Sequence, residues 1–289
     1  MSASTATIPV KRLRSGFGLP AYGLGTWGLG GYEQADTRDD AAGVAAIRAA
    51  LDRGVTHIDT AEMYGAGHAE ELVGAAIRGY DRARLCLASK ALAHHLDYAG
   101  LIAAARASLR RLGTDYLDLY MIHHPSDDIP IAETLAGMAR LVELGLVGHV
   151  GVSNFSRARL AAARRVGGPI VANQVHYNLA VREPETTGLL GDCQEQDMLL
   201  VAWKPQAPAV ADAPIVQALA RKYGKTPTQV GLNWLLSQEN VVVICRTRDP
   251  RHLEENLGAL GWALEAADRE ALRRDYPQQQ DRSAVYALR

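Results

Sequence analysis

Along this chain short apolar, β-branched runs alternate with longer stretches whose apolar residues, mostly Ala and Leu, recur three and four positions apart among arginines. A bounded apolar run reads as a buried strand, and the three-to-four spacing reads as a helix buried along one face. The runs predict strands at 21–25, 55–58, 85–88, 116–122, 149–152, 170–174, 199–202 and 241–244. Helices are predicted at 37–53, 69–78, 99–112, 132–143, 156–165, 188–196, 213–223 and 227–237, with two more, 250–260 and 266–273, after the last strand. Boundary residues support these elements. Asp36 or Thr37 stands ahead of the first helix, Thr226-Pro227 opens the eighth, and Gly54, Gly113 and Gly145 lie just past helix ends, where a left-handed residue is wanted.

Strands in regular alternation with helices predict a parallel sheet, and eight such units predict a single-domain α/β protein, a (β/α)8 TIM barrel spanning residues 1–289. No Gly- or Ser-rich linker or change of composition divides the chain. A doubly wound open sheet is the alternative, but the glycines of 23–28 do not open directly into a helix as a dinucleotide-binding turn would.

With 48% apolar and 22% charged residues the chain can bury a large core, and its net charge of -1 provides no field to gather nucleic acid or an anionic membrane. The expected partner is a small molecule. Oligomeric state is not legible, and a monomer is compatible with this surface. Cys86, Cys193 and Cys245 are odd in number and widely spaced, which predicts neither a disulfide framework nor a thiolate zinc site and fits a reducing compartment. The first dozen residues lack the apolar centre of a secretory signal, and no run approaches the roughly 18 apolar residues of a membrane span. A cytoplasmic protein is expected.

Asp59 follows the second predicted strand, Lys90 lies two residues past the third, His123 follows the fourth, and Tyr64 sits in the loop after Asp59. Each alone has a plain structural reading: a turn cap, a solvated amine, a satisfied histidine, a packed ring. Their common position at strand C-terminal ends, where barrels stage catalysis, points instead to proton transfer. A phenol of pKa about 10 is a poor acid at neutral pH, so a catalytic tyrosine needs a cation beside it, and Lys90 is the candidate. His57 and Asp59 share a strand face, yet a His-x-Asp pair is weak as a metal motif and no metal site is assigned. Arg106, Arg110 and Arg111 read as a solvated helix face.

Five segments, Asp-Thr-Ala-Glu-Met-Tyr-Gly (59–65), Ala-Ser-Lys (88–90), Asp-Leu-Tyr-Met-Ile-His-His-Pro (118–125), Gly-Val-Ser-Asn-Phe (151–155) and Asn-Gln-Val-His-Tyr-Asn (173–178), resemble in order and interval the motifs of the aldo-keto reductases, the short bacterial members above all. The resemblance runs from about residue 19 to about residue 260. It implies a barrel that binds a nicotinamide dinucleotide in extended form and passes hydride to a carbonyl. It further implies Tyr64 as proton donor, Lys90 and Asp59 as the pair that lowers its pKa, and His123 as the residue that orients the carbonyl.

For the cofactor it implies Gly25 and Thr26 on the rim, and Ser153, Asn154 and Gln174 on the nicotinamide carboxamide. Trp203 stands where a stacking tyrosine is usual, and Lys204 where a small hydroxyl residue meets the pyrophosphate. Arg246, Thr247, His252, Glu255 and Asn256 match the grip on the adenosine half. Arg246 replaces a lysine and favours NADP(H), while the neutral His252, in place of an arginine, keeps NAD(H) open. Trp27 and His124, the latter where a tryptophan is common, are expected to line the substrate pocket. About 16 residues follow the last predicted helix, so a deep steroid-type pocket is not expected. A compact aldehyde, 2-oxoaldehyde or sugar-derived carbonyl is the expected substrate. The alternatives are a Schiff-base lyase using Lys90 and a cofactor-binding barrel of little turnover that acts as a sensor or partner-binding protein.

Overall fold

The structure, a computed structural model, describes residues 7–168, 170–207, 211–276 and 280–288. Parts of the first dozen residues, of the 206–214 loop and of the C-terminal tail therefore lie outside the described residues. A hairpin of β1 (Val10–Arg12) and β2 (Gly18–Pro20) precedes eight parallel strands: β3 (Tyr22–Gly25), β4 (His57–Asp59), β5 (Cys86–Ala91), β6 (Leu117–Ile122), β7 (Val147–Ser153), β8 (Ile170–His176), β9 (Leu199–Trp203) and β10 (Val241–Cys245). These close into a barrel, β10 pairing with β3, so the predicted fold class holds.

The helices are α1 (Asp40–Asp52), α2 (His68–Ile77), α3 (Tyr98–Leu112), α4 (Ile131–Glu143), α5 (Arg157–Val166), α6 (Glu183–Thr186), α7 (Leu189–Glu195), α8 (Pro214–Tyr223), α9 (Pro227–Leu236), α10 (Pro250–Leu257) and α11 (Ala266–Asp275). Thr226 caps α9 in a reciprocal box with Gln229, as Thr226-Pro227 suggests. Gly54, Gly113 and Gly145 take φ of 87°, 64° and 68°. α1 starts later than predicted. The Asp36 carboxylate accepts the Arg38 backbone N–H and draws that segment into a turn, leaving Asp39 at the helix boundary.

The hairpin was not predicted, because strands of three residues carry no readable period. Packing explains it. Leu13, Phe17 and Leu19 form one buried cluster with the inward residues Ala88, Leu119, Met121, Val171, Leu199, Val201 and Val242, so the hairpin plugs the N-terminal mouth of the barrel. The other mouth is left for polar side chains. There the strands outrun their apolar cores: Asp59 pairs with Ala88, Lys90 with Met121, and Ser153 with Gln174 in the ladder. An apolar-run criterion stops at the first polar residue, whereas the ladder bonds backbone and continues under it.

Candidate active site

Three strands and one loop bring Asp59, Tyr64, Lys90 and His123 together at the open mouth. Lys90 Nζ donates to Asp59 Oδ1 (2.5 Å), to the Thr60 carbonyl (2.9 Å) and to the Tyr64 hydroxyl (3.2 Å), so all three ammonium protons are used. Asp59 Oδ2 accepts Gln174 Nε2 at 2.8 Å from across the barrel. Lys90 is 0% and Asp59 1% exposed, an ion pair withdrawn from water and satisfied on both sides.

The charges act on one another as the placement dictates. Burial alone would depress the Lys90 ammonium, but Asp59 and Tyr64 together outweigh it and hold its pKa above the ordinary lysine value. Burial raises the Tyr64 phenol; Lys90 opposes that rise by charge and hydrogen bond, and the net direction is still upward. The sequence reading has Lys90 acidifying the phenol. Lys90 does pull that way, but withdrawal from water is the larger influence. Burial, then Lys90 and His124, keep His123 well below the usual histidine range, so its ring is neutral. Its Nδ1 is buried with no hydrogen-bond partner.

Tyr64 is aimed by its loop. Gly65, Ala66 and Gly67 all have left-handed φ, at 58°, 52° and 95°, and turn the chain sharply from the loop that carries Tyr64 into α2. Gly65 N–H donates to the Tyr32 carbonyl at 2.6 Å, and a Cβ at Gly65 would come within 2.3 Å of the Gly30 carbonyl oxygen. Gly65→Ala is therefore expected to cost about 1–3 kcal/mol of stability and, by displacing Tyr64, to lower kcat/KM for a carbonyl roughly 10²-fold. Urea melts and steady-state rates check this; an unchanged rate would mean that the loop absorbs the strain without moving the phenol.

Above these residues lies a cavity of about 380 Å³, lined by Gly25, Thr26, Trp27, Asp59, Tyr64, His123, His124, Ser153, Asn154, Gln174, Trp203, Lys204 and Arg246. A second cavity of about 290 Å³ is lined by Arg246, His252, Glu255 and Asn256 among others, and the two share Pro205, Gln206 and Arg246. Together they form one trench from Tyr64 toward α10. Trp203 stacks one face on His176 (4.4 Å, 12°) and donates its indole N–H to Asn154 Oδ1 (3.2 Å). Ser153 Oγ donates to the Gln174 carbonyl at 2.9 Å.

Thr247 is the expected contact that lines neither cavity; its hydroxyl bonds Asp249 and braces the start of α10. Asn256 lines the trench, but its Oδ1 accepts Gln206 Nε2 (2.5 Å) and its Nδ2 donates to Tyr22 (3.3 Å). No group of three or more His, Cys, Asp or Glu is placed to hold a metal ion among the described residues. Among the same residues no helix is long and apolar enough to cross a membrane.

Sequence reasoning missed Met63, Pro205, Gln206, Ile244, Val285 and Tyr286 as lining residues. The last two belong to the tail, which returns over the mouth. Glu183 Oε2 accepts the Ser283 backbone N–H and its Oε1 that of Leu288, while Ser283 Oγ meets His176 Nδ1 at 2.7 Å. Tyr286 lies 4.6 Å from the His124 ring. No periodic signal marks a tail held by backbone groups, so nothing in the sequence announced it.

The chain matches the model of the aldo/keto reductase family over residues 21–274. It is 36% identical over 275 residues to the methylglyoxal reductase YeaE of Escherichia coli strain K12, covering 92% of this chain and 94% of that one. Among solved structures it resembles the thermostable aldo-keto reductase Tm1743 (42% identity, TM-score 0.88, 91% of this chain and 98% of that one). It also resembles an aldo/keto reductase from Klebsiella pneumoniae in complex with NADP and acetate (35% identity, TM-score 0.86, 97% and 99% covered). The chain belongs to the aldo/keto reductase family. It is accordingly an NAD(P)H-dependent oxidoreductase, and the family's general activity is carbonyl reduction.

Proposed function

We propose that this protein reduces a small aldehyde or ketone to the alcohol with NADPH, Tyr64 giving the proton. The observation that carries the reading is the buried Asp59–Lys90–Tyr64 chain opening onto a trench with room for a dinucleotide. The Klebsiella pneumoniae relative, solved in complex with NADP, supports the cofactor. A reduced nicotinamide, if bound in the trench, would supply the hydride that reaches the carbonyl carbon. Charge then develops on the carbonyl oxygen, which the Tyr64 hydroxyl neutralises by donating its proton, and the Lys90 ammonium at 3.2 Å stabilises the phenolate that remains. Asp59 holds that ammonium charged, and the neutral His123 ring orients the carbonyl.

On the cofactor side, Ser153, Asn154 and Gln174 would meet the nicotinamide amide and Trp203 its ring. Gly25, Thr26 and Lys204 would border the pyrophosphate, with His252, Glu255 and Asn256 around the adenosine. Thr247 would act by bracing the segment that carries Arg246. Arg246 is exposed at the joint of the two cavities, over the Tyr32 ring at 5.9 Å, and makes no carboxylate pair among the described residues. Arg248 and Arg251, by contrast, pair with Asp39 and Asp249. Arg246 is therefore the guanidinium left for a 2'-phosphate. Arg246→Ala should weaken NADPH about tenfold to a hundredfold and NADH far less, by fluorescence titration; equal losses would show that this residue does not distinguish the two.

The Schiff-base alternative requires Lys90 to lose a proton and attack a carbonyl. Its raised pKa and three occupied hydrogen bonds argue against that. Oxidation of NADPH coupled one-for-one to loss of carbonyl across a small aldehyde panel is the expected result, and borohydride trapping of substrate on Lys90 would overturn the reading.

A further inference from the structure

Lys90 is set in β5 whereas Tyr64 stands on a loop, and the backbone bonds joining the two segments weaken along the way. The β4–β5 ladder ends at Asp59. Beyond it Thr60 N–H donates to the Ala88 carbonyl at 2.9 Å and Glu62 N–H to the Lys90 carbonyl at 3.4 Å, while Tyr64 N–H turns back to Ala61 in its own loop. A bond of 3.4 Å is near the limit of usefulness, so the backbone alone does not fix the phenol against the strand.

Two buried carboxylates flank Tyr64 in sequence, and each grips the chain on one side of Lys90. Ahead of the phenol, Glu62 Oε1 accepts the Leu92 backbone N–H at 2.6 Å, just past the end of β5, and meets His95 Nδ1 at 2.9 Å. Behind it, Glu70 Oε1 on α2 accepts the Ser89 hydroxyl at 2.5 Å. Alternation along the strand puts Ser89 on the helix side because Lys90 faces the barrel. Arg111, expected from sequence to be solvated, donates Nε to Glu70 Oε2 at 2.6 Å and packs under Gly67, where a Cβ would lie 2.6 Å from that Nε. Gly67 closes the turn that follows Tyr64. Glu62 is 8% and Glu70 0% exposed, and neither lines the trench in which substrate and cofactor would lie.

We infer that Glu62 and Glu70 are positioning residues: from opposite sides of Tyr64 they fasten its loop to β5 and so set the 3.2 Å separation of the phenol from the Lys90 ammonium. The inference rests on the reductase reading and makes proton delivery depend on two groups that touch neither reactant. Displacing a reacting group by about 1 Å costs up to about 10²-fold in rate, so a loosened loop is felt at the proton-transfer step.

A residue that acts through the phenol loses its influence when the phenol is gone, and a double-variant cycle reads this directly. Single-turnover oxidation of NADPH by propanal, with enzyme in excess, is followed for Glu62→Ala in the wild-type and in the Tyr64→Phe background. The expected loss is about tenfold in the first and below about twofold in the second, with NADPH affinity by fluorescence unchanged. Glu62→Gln keeps an acceptor for the Leu92 N–H and should restore most of the rate. Ser89→Ala deletes a single oxygen, isolates the grip of Glu70 on the strand, and should show the same pattern at about threefold. Equal losses in the two backgrounds, or no loss in either, would mean that the carboxylate concerned only supports the fold and would overturn the inference for it. Wild type that oxidises no NADPH with any small aldehyde or ketone would instead end the reductase reading itself.

Discussion

Tyr64→Phe is expected to leave the barrel and NADPH affinity close to wild type while cutting carbonyl reduction by roughly 10²-fold or more, the range for loss of a positioned proton donor. The ring contributes packing that Phe retains: it meets Trp27 edge-on at 4.9 Å and His123 at 5.5 Å. The hydroxyl contributes one hydrogen bond of the three made by Lys90, so its removal should cost about 1 kcal/mol of stability and leave the Asp59 pair in place.

The pH profile follows from the same group. The acid is active when protonated, and burial outweighs Lys90 in raising its pKa, so wild-type reduction should be level from about pH 6 to about pH 9 and fall only on the alkaline side. His123, held neutral, should add no limb near the ordinary histidine pKa. Stopped-flow oxidation of NADPH checks both points, and wild-type turnover by the Phe variant would remove Tyr64 from the chemistry.

Lys90→Met should be the more damaging change to the fold. It leaves the Asp59 carboxylate, 1% exposed, with Gln174 as its remaining side-chain donor, and breaking one side of a buried pair costs about 3–5 kcal/mol. Reduction should fall at least as far as in Tyr64→Phe, because the phenol loses the cation that steadies its anion. The double variant Asp59→Asn with Lys90→Met removes the stranded charge and should recover most of the stability but little of the activity. Urea melts of the three proteins decide the matter. A loss below about 1 kcal/mol in Lys90→Met would mean that Asp59 takes a proton or water in place of the ammonium.

The barrel was legible because each of its eight strands is a short apolar run and each following helix carries a spaced apolar face, both of which depend only on neighbours in sequence. Asp59, Lys90 and His123 were legible for the same reason, since each ends or follows such a run. The N-terminal hairpin was not, because its stability comes from Leu13, Phe17 and Leu19 entering a barrel built by residues up to 245. Nor was the role of the tail. Val285 and Tyr286 reach the pocket because Glu183 holds the backbone of Ser283 and Leu288, a contact across about a hundred residues that no local pattern encodes.

By itself, then, the sequence determined the repeating unit, the fold class and which polar side chains stand at strand ends, since these follow from local period and backbone pairing. The tertiary structure alone decided how those side chains act on one another. Closure of the barrel brings Gln174 onto Asp59 and buries Lys90 completely. Burial then reverses the expected direction of the Tyr64 pKa, and the hydrogen bond from the Trp203 indole N–H sets which way the Asn154 amide faces. Charge and hydrogen-bond energies depend on distance and on exclusion of water, and both are properties of the closed barrel rather than of the chain.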